Sequence, residues 1–403
     1  MGSKPVAAPA PPPKSKPEPA VAVPPLFDIP AGAARTRMLV QGYELWFGKP
    51  SLRGLFGDYF DLAGSVKPGL MLKMMEDPHV DLTAAVSPAG GEAQLRWQRG
   101  LDNPDSFVDI LVSTSKPALK LRSSIYSPKY GIGAFAAVPL HMEKSASSED
   151  FGVVGLSYGS QNLSIGASFL PSYYGMIIFP LFAASNEVPS VVPYGAWLVG
   201  RLGGLSAGAQ YKPLSEYSNS GSMQSLPFED LKNWNYTISY GVESASPLSP
   251  SFNVSLELVK STQLVASFYQ HRAVQREVSS FWLVGHVCAV KDYWPDNRDA
   301  PIITNYIDFG LELATRVGKD KPTDDADNSS FQIAANCQAN KNFLVKGKLG
   351  PSKSSVALAF RSWWTPLFTF SVTAVNDHSK GTTAYGFGIH VDDLRNPDSD
   401  TRL

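Results

Sequence analysis

The sequence predicts an all-β protein, a transmembrane antiparallel β-barrel behind a disordered proline-rich N-terminal tail. Apolar residues recur at every second position through many runs of roughly 8 to 11 residues, the length that crosses a bilayer at a tilt. The residues alternating with them are mostly Ser, Thr, Asn, Gln and Gly, whereas a soluble sandwich usually puts Lys, Glu and Asp on its wet face. Charged residues make up 18% of the 403, well below the roughly 25% of soluble domains, while aromatic residues reach 11%.

Residues 1–30 run MGSKPVAAPAPPPKSKPEPAVAVPPLFDIP, a low-complexity stretch that favours extended polyproline geometry and has little apolar area to bury. It lacks the charged-then-apolar order of a secretory signal. Residues 31–62 are expected to be a helical or plug segment and the start of the barrel, with helix around Met38 to Phe47. The barrel is expected over 63–395, and 396–403 form a short C-terminal tail. No stretch approaches the roughly 18 to 20 unbroken apolar residues of a spanning helix.

Beyond residue 62 the period is two. Trp234, Tyr236, Ile238, Tyr240 and Val242 alternate with Asn235, Thr237, Ser239, Gly241 and Glu243; Leu163, Ile165, Ala167 and Phe169 alternate with Ser164, Gly166 and Ser168. Ile307, Phe309, Leu311 and Leu313 share a face opposed to Asp308, Gly310, Glu312, Ala314 and Arg316. Short connections that tolerate tight turning separate successive runs: Ser160-Gln161-Asn162, Gly203-Gly204 and Ser261-Thr262-Gln263. Such hairpins predict a mainly antiparallel sheet. Longer polar breaks near 143–150, 212–233, 291–300 and 318–330 are expected to be loops.

The end of the chain repeats the pattern in FQIAANCQA, FLVKGKLG, SSVALAFRS, FTFSVTAV and TTAYGFGIHV. Trp363 and Trp364 stand beside Pro366 at a strand end, the place of an aromatic girdle at the headgroups. Strand parity puts Lys346 with Lys348 on one face, Arg316 with Asp308 and Glu312, and Lys120 with Arg122. With Arg361 and His390 these are the candidate lumen-facing charges, a mixed wall that predicts weak ion preference.

The ending Gly386-Phe387-Gly388-Ile389-His390-Val391 resembles the β-signal of the eukaryotic porin superfamily, which comprises the mitochondrial voltage-dependent anion channels and the Tom forty channel. That signal is a glycine followed at plus three and plus five by hydrophobic residues, here Gly386, Ile389 and Val391; its polar position, two before the glycine, holds Ala384. The strings AANCQANKNFLVKGKLGPSKSSVALAF and GTTAYGFGIHV are most similar to the porin-like family of the plant mitochondrial outer-membrane barrel of forty-seven kilodaltons. The resemblance implies 19 strands, closed by a parallel pair of first and last strands. It also implies the mitochondrial outer membrane, with the chloroplast outer envelope as the other address. The implied partners are the lipid bilayer and the outer-membrane assembly machinery. Anion channels of this kind begin with an amphipathic helix in the pore; here a proline-rich tail comes first.

A balance of 35 basic against 36 acidic residues argues against a nucleic-acid partner. Cys288 and Cys337 form no CxxC, the six histidines show no HExxH, and neither a GxSxG elbow nor a GxxxxGK[ST] loop occurs. The expectation is therefore no enzyme and no cofactor, but a passive porin-like channel for ions or small metabolites. The alternative is a closed or plugged barrel that serves as a receptor, import or tethering platform; a soluble β-rich enzyme ranks third. Asn162, Asn235, Asn253 and Asn328 head N-x-[ST] sequons that read as chance matches.

Overall fold

The computed structural model describes residues 20–21, 41–57, 59–73, 77, 79–88, 90–99, 106–114, 118–140, 152–170, 192–212, 231–242, 251–276, 302–316, 330–340, 342–362 and 367–392. The expectations for Trp363 and Trp364, for Cys288, for Asn328 and for the disorder of most of residues 1–30 fall outside these. So do those for the C-terminal tail and the loops 143–150, 291–300 and 318–329.

Nineteen strands close into one barrel. They are β1 (Val66–Lys73), β2 (Val80–Ser87), β3 (Gly90–Arg99), β4 (Ser106–Ser113), β5 (Ala118–Ser127), β6 (Ile132–Pro139), β7 (Val153–Gly159) and β8 (Leu163–Leu170). There follow β9 (Val192–Leu202), β10 (Leu205–Tyr211), β11 (Trp234–Val242), β12 (Ser251–Val259), β13 (Gln263–Arg276), β14 (Ile302–Arg316) and β15 (Ser330–Asn340). The last four are β16 (Phe343–Leu349), β17 (Lys353–Arg361), β18 (Leu367–Asp377) and β19 (Thr382–Asp392). Each pairs antiparallel with its successor. The seam is parallel: β1 runs beside β19 from Val66 opposite Phe387 to Met71 opposite Asp392.

An odd number of strands forces this seam. With antiparallel neighbours throughout, the first and last of 19 point the same way, and only a parallel ladder can satisfy both edges.

Two tight turns show how the hairpins are made. Between β9 and β10, Gly203 has φ +61°, so Gly203-Gly204 reverses the chain with Leu202 opposite Leu205. Between β12 and β13 the positive φ falls on Lys260 and Ser261, at 51° and 55°, and the turn is Lys260-Ser261-Thr262, one residue earlier than the sequence reading placed it.

The alternation sorts into an inward and an outward set. On β11, Asn235, Thr237 and Ser239 are buried, whereas Tyr236, Ile238, Tyr240 and Val242 are exposed. The same division holds on β8, where Ser164 and Ser168 are buried and Leu163 and Ile165 exposed. Leu156 is 61% exposed and Ile238 49%, against 4% for Thr237. A soluble core would reverse these values, so the sheet presents an apolar outer surface around a polar inside.

Ahead of the barrel lie α1 (Gly42–Trp46), α2 (Lys49–Gly57) and a 3-10 turn (Phe60–Leu62), within the segment 31–62 that the sequence suggested as helical or plug-like; residues 31–40 of it lie outside the described residues. No described helix is long and apolar enough to cross a membrane.

Candidate pore and its inner segment

Residues 41–57 and 59–62 lie inside the barrel against its wall. Gly48, at φ +68°, breaks the helix after α1, and Pro50 is tolerated in the first turn of α2 because the N–H it lacks has no partner there. Tyr59, at φ 70°, turns the chain into the 3-10 stretch.

α1 is fixed by both apolar and polar contacts. Tyr43 and Phe47 are completely covered and pack with Trp197 and Val199 of β9, supported by Trp46 and by Phe135 of β6. The Tyr43 hydroxyl lies 2.5 Å from Thr237 Oγ1 and donates to Glu257 Oε1 at 3.2 Å, while Lys49 Nζ donates to the same Glu257 oxygen at 2.5 Å. Burial, and after it the Glu257 carboxylate, push the Tyr43 phenol far above its ordinary value, so it stays a neutral donor. Gln210 of β10 donates to the Gln41 side chain where the segment begins.

α2 lays Leu52, Leu55 and Phe56 against Ala334 of β15 and Tyr269 of β13. Gly310 of β14 makes room for them, since a Cβ there would stand 2.5 Å from Leu55 Cδ2. The last turn of α2 carries no basic residue of its own, and the wall supplies the charge. Lys346 donates to Gly54 O at 2.5 Å and Lys348 to Phe56 O at 3.0 Å, meeting carbonyls at the negative end of the helix dipole.

The 3-10 turn closes the contact. Tyr59 packs on Leu344 and Ala359, and Thr373 Oγ1 donates to Tyr59 O at 2.7 Å. Gly386 of β19 faces Leu62 so closely that a Cβ would lie 1.9 Å from the Leu62 carbonyl oxygen.

Charges on β3 to β5 form a separate group. Asp109 accepts from Arg96 Nη2 at 2.8 Å, Arg122 Nε at 2.7 Å and Gln94 Nε2 at 2.9 Å, with no side-chain exposure. The residues stand in one row across the wall, Arg96 opposite Asp109 and Asp109 opposite Arg122. A second row joins Asp308 to His271 Nδ1 at 2.5 Å and to Asn336 Nδ2 at 2.8 Å.

By register, all nine charged positions singled out from sequence, Lys120, Arg122, Asp308, Glu312, Arg316, Lys346, Lys348, Arg361 and His390, lie on the inward set. The structure does not bring them together. Lys346 and Lys348 hold α2, Arg122 joins the Asp109 cluster, Asp308 pairs with His271, and Glu312 accepts from Gln332 at 2.9 Å. In β19, Gly386 points inward, whereas Phe387 and Ile389 are exposed outward. Sequence reasoning missed Arg96, Asp109 and Glu257. Parity could have placed all three inside, since Arg96 alternates with Leu95 and Trp97 on β3, Asp109 with Val108 and Ile110 on β4, and Glu257 with Leu256 and Leu258 on β12. The sequon residue Asn235 is buried on the inner wall, where its side chain donates to Gln210 Oε1 at 3.2 Å.

No protein-family model matches this chain, and no curated protein matches it.

Proposed function

We propose that this chain is a porin-like channel of the mitochondrial outer membrane that lets ions or small metabolites diffuse passively. The observation that carries this reading is the polarity of the closed barrel, with exposed Leu156, Ile238, Val254, Leu358 and Phe387 outside and buried Ser164, Ser206, Thr237, Ser255 and Thr373 inside. An apolar band demands a bilayer, and a polar inner wall suits water and solutes.

The mitochondrial address draws support from closure. Bacterial single-chain outer-membrane barrels have even strand numbers, whereas the mitochondrial anion channel has 19. The parallel β1–β19 seam is of that odd-numbered kind, and Gly386, Ile389 and Val391 resemble the family's assembly signal. The lipid bilayer and the outer-membrane assembly machinery are the proposed partners.

Transport here is passive and set by width and inward charge. Charges of both signs stand mixed along the wall: Lys49 and Glu257 cancel, and Asp109 offsets one of the two guanidinium charges of Arg96 and Arg122, which favours weak ion selectivity. Flux of neutral sugars and small anions into liposomes carrying the refolded barrel tests the reading: size-limited entry with little charge preference supports it, and liposomes as tight as protein-free ones oppose it.

One observation favours a second reading. Residues 41–57 and 59–62 are seated on the inner wall from β8 to β19 by buried apolar and hydrogen-bonded contacts. A segment so fixed narrows the lumen, and a barrel plugged by it would act through its rims as a receptor, import or tethering platform.

A further inference from the structure

β13 and β14 are the longest strands, at 14 and 15 residues, and they pair along their full length up to Arg276 opposite Ile302. On its other side β14 meets β15 only from Tyr306, opposite Gln338, to Ala314. The start of β14 therefore extends beyond its ladder with β15, and such an edge is a ready template for another strand. The described partner there is the two-residue strand Ala20–Val21, which pairs parallel with Ala20 opposite Ile302 and Val21 opposite Ile303.

The tail sequence explains why pairing falls at that point. Ala20-Val21-Ala22-Val23 lies between Pro19 and Pro24 and is the part of residues 1–30 where valine recurs at alternate positions. Its residues have the amide donors that proline lacks, and β-branched residues favour extended backbone. The flanking prolines keep the added strand short.

We propose that Ala20–Val21 is an intramolecular latch, docking by strand addition onto the open edge at the start of β14 and tying the proline-rich tail to one rim of the barrel. Main-chain hydrogen bonds hold it, as in peptide recognition by β-augmentation. The occupant is this chain's own segment, because that is the strand seated on the edge. The latch does not depend on conductance, so a silent barrel leaves it standing.

Two measurements on the full chain refolded in detergent test it. In hydrogen exchange, whichever of the Ile302 and Ile303 amides faces Ala20–Val21 rather than β13 is expected to be protected, and Ala20→Pro/Val21→Pro should speed its exchange by about tenfold or more while amides of residues 308–313 stay unchanged. Val21→Ala, which retains the amide, should behave like the parent. In a background with Cys288→Ser and Cys337→Ser, Val21→Cys combined with Ile303→Cys should be bridged within one chain by a short bis-maleimide. Val21→Cys combined with Leu349→Cys, on a different part of the barrel, should not. Equal exchange in the parent and the proline variant overturns the latch, and bridging only between two chains overturns its intramolecular assignment.

Discussion

Gly386 and Leu62 meet where a single methyl group cannot fit: a Cβ on Gly386 would stand 1.9 Å from the Leu62 carbonyl oxygen and 2.9 Å from the Ala63 nitrogen. The glycine that opens the resemblance to a β-signal is thus also the notch in which the inner segment rests before the chain enters β1. Gly64 N donates to Tyr385 O and Phe387 N to Ser65 O, so the backbone on both sides is pinned.

These two roles can be separated. Gly386→Ala in the full chain should destabilise the seated segment by about 1–3 kcal/mol, read by denaturant unfolding in detergent, because backbone rather than a flexible side chain must yield. In a chain lacking residues 1–62 the same substitution should be nearly neutral. Ile389→Ser/Val391→Ser leaves the notch intact and should instead impair membrane assembly; normal carbonate-resistant insertion would count against the β-signal reading.

Lys346 and Lys348 anchor α2 through its last carbonyls. Lys346→Met/Lys348→Met should loosen the helix by about 1–3 kcal/mol. Protease sites within 49–57 should open in the folded barrel, and unitary conductance should rise. Unchanged proteolysis would show that apolar packing by Leu52, Leu55 and Phe56 suffices.

Tyr43 gives the inner segment a pH dependence. Its folded-state pKa is raised, chiefly by burial and then by Glu257, so its contribution is fully present below the ordinary tyrosine value and is lost as pH climbs above it. Above about pH 10 the parent should lose segment stability by up to about 1.4 kcal/mol per pH unit more than Tyr43→Phe. Parallel profiles for the two proteins, followed by Trp46 fluorescence, would contradict this.

Asp109 offsets two guanidinium groups on β3 and β5. Asp109→Asn should shift the reversal potential in a salt gradient toward anion preference and cost about 3–5 kcal/mol, since Arg96 and Arg122 lose their common carboxylate. No shift would mean that this cluster lies away from the conducting path.

Legibility followed the range of the forces. Strands such as β8, β11 and β19 were plain because the bilayer imposes apolar residues on one face and water imposes polar ones on the other, a local period of two. The bounds of α2 within the suggested helical or plug segment 31–62 were not, because Gly48, Pro50, Gly54 and Gly57 argue against helix and its stability comes from the wall. The inward parity of Lys346 could be read, but its acceptor could not: Gly54 lies 292 positions away. The pairing of Ala20–Val21 likewise depends on where β15 stops following β14, a register that no local pattern reveals.

Single-channel current from the refolded, detergent-solubilised barrel inserted into a planar bilayer tests the central claim most directly. Reproducible current steps with weak ion preference are the result predicted for an open diffusion channel; a protein that inserts with full β content and passes no current would contradict it and leave the barrel plugged by residues 41–62.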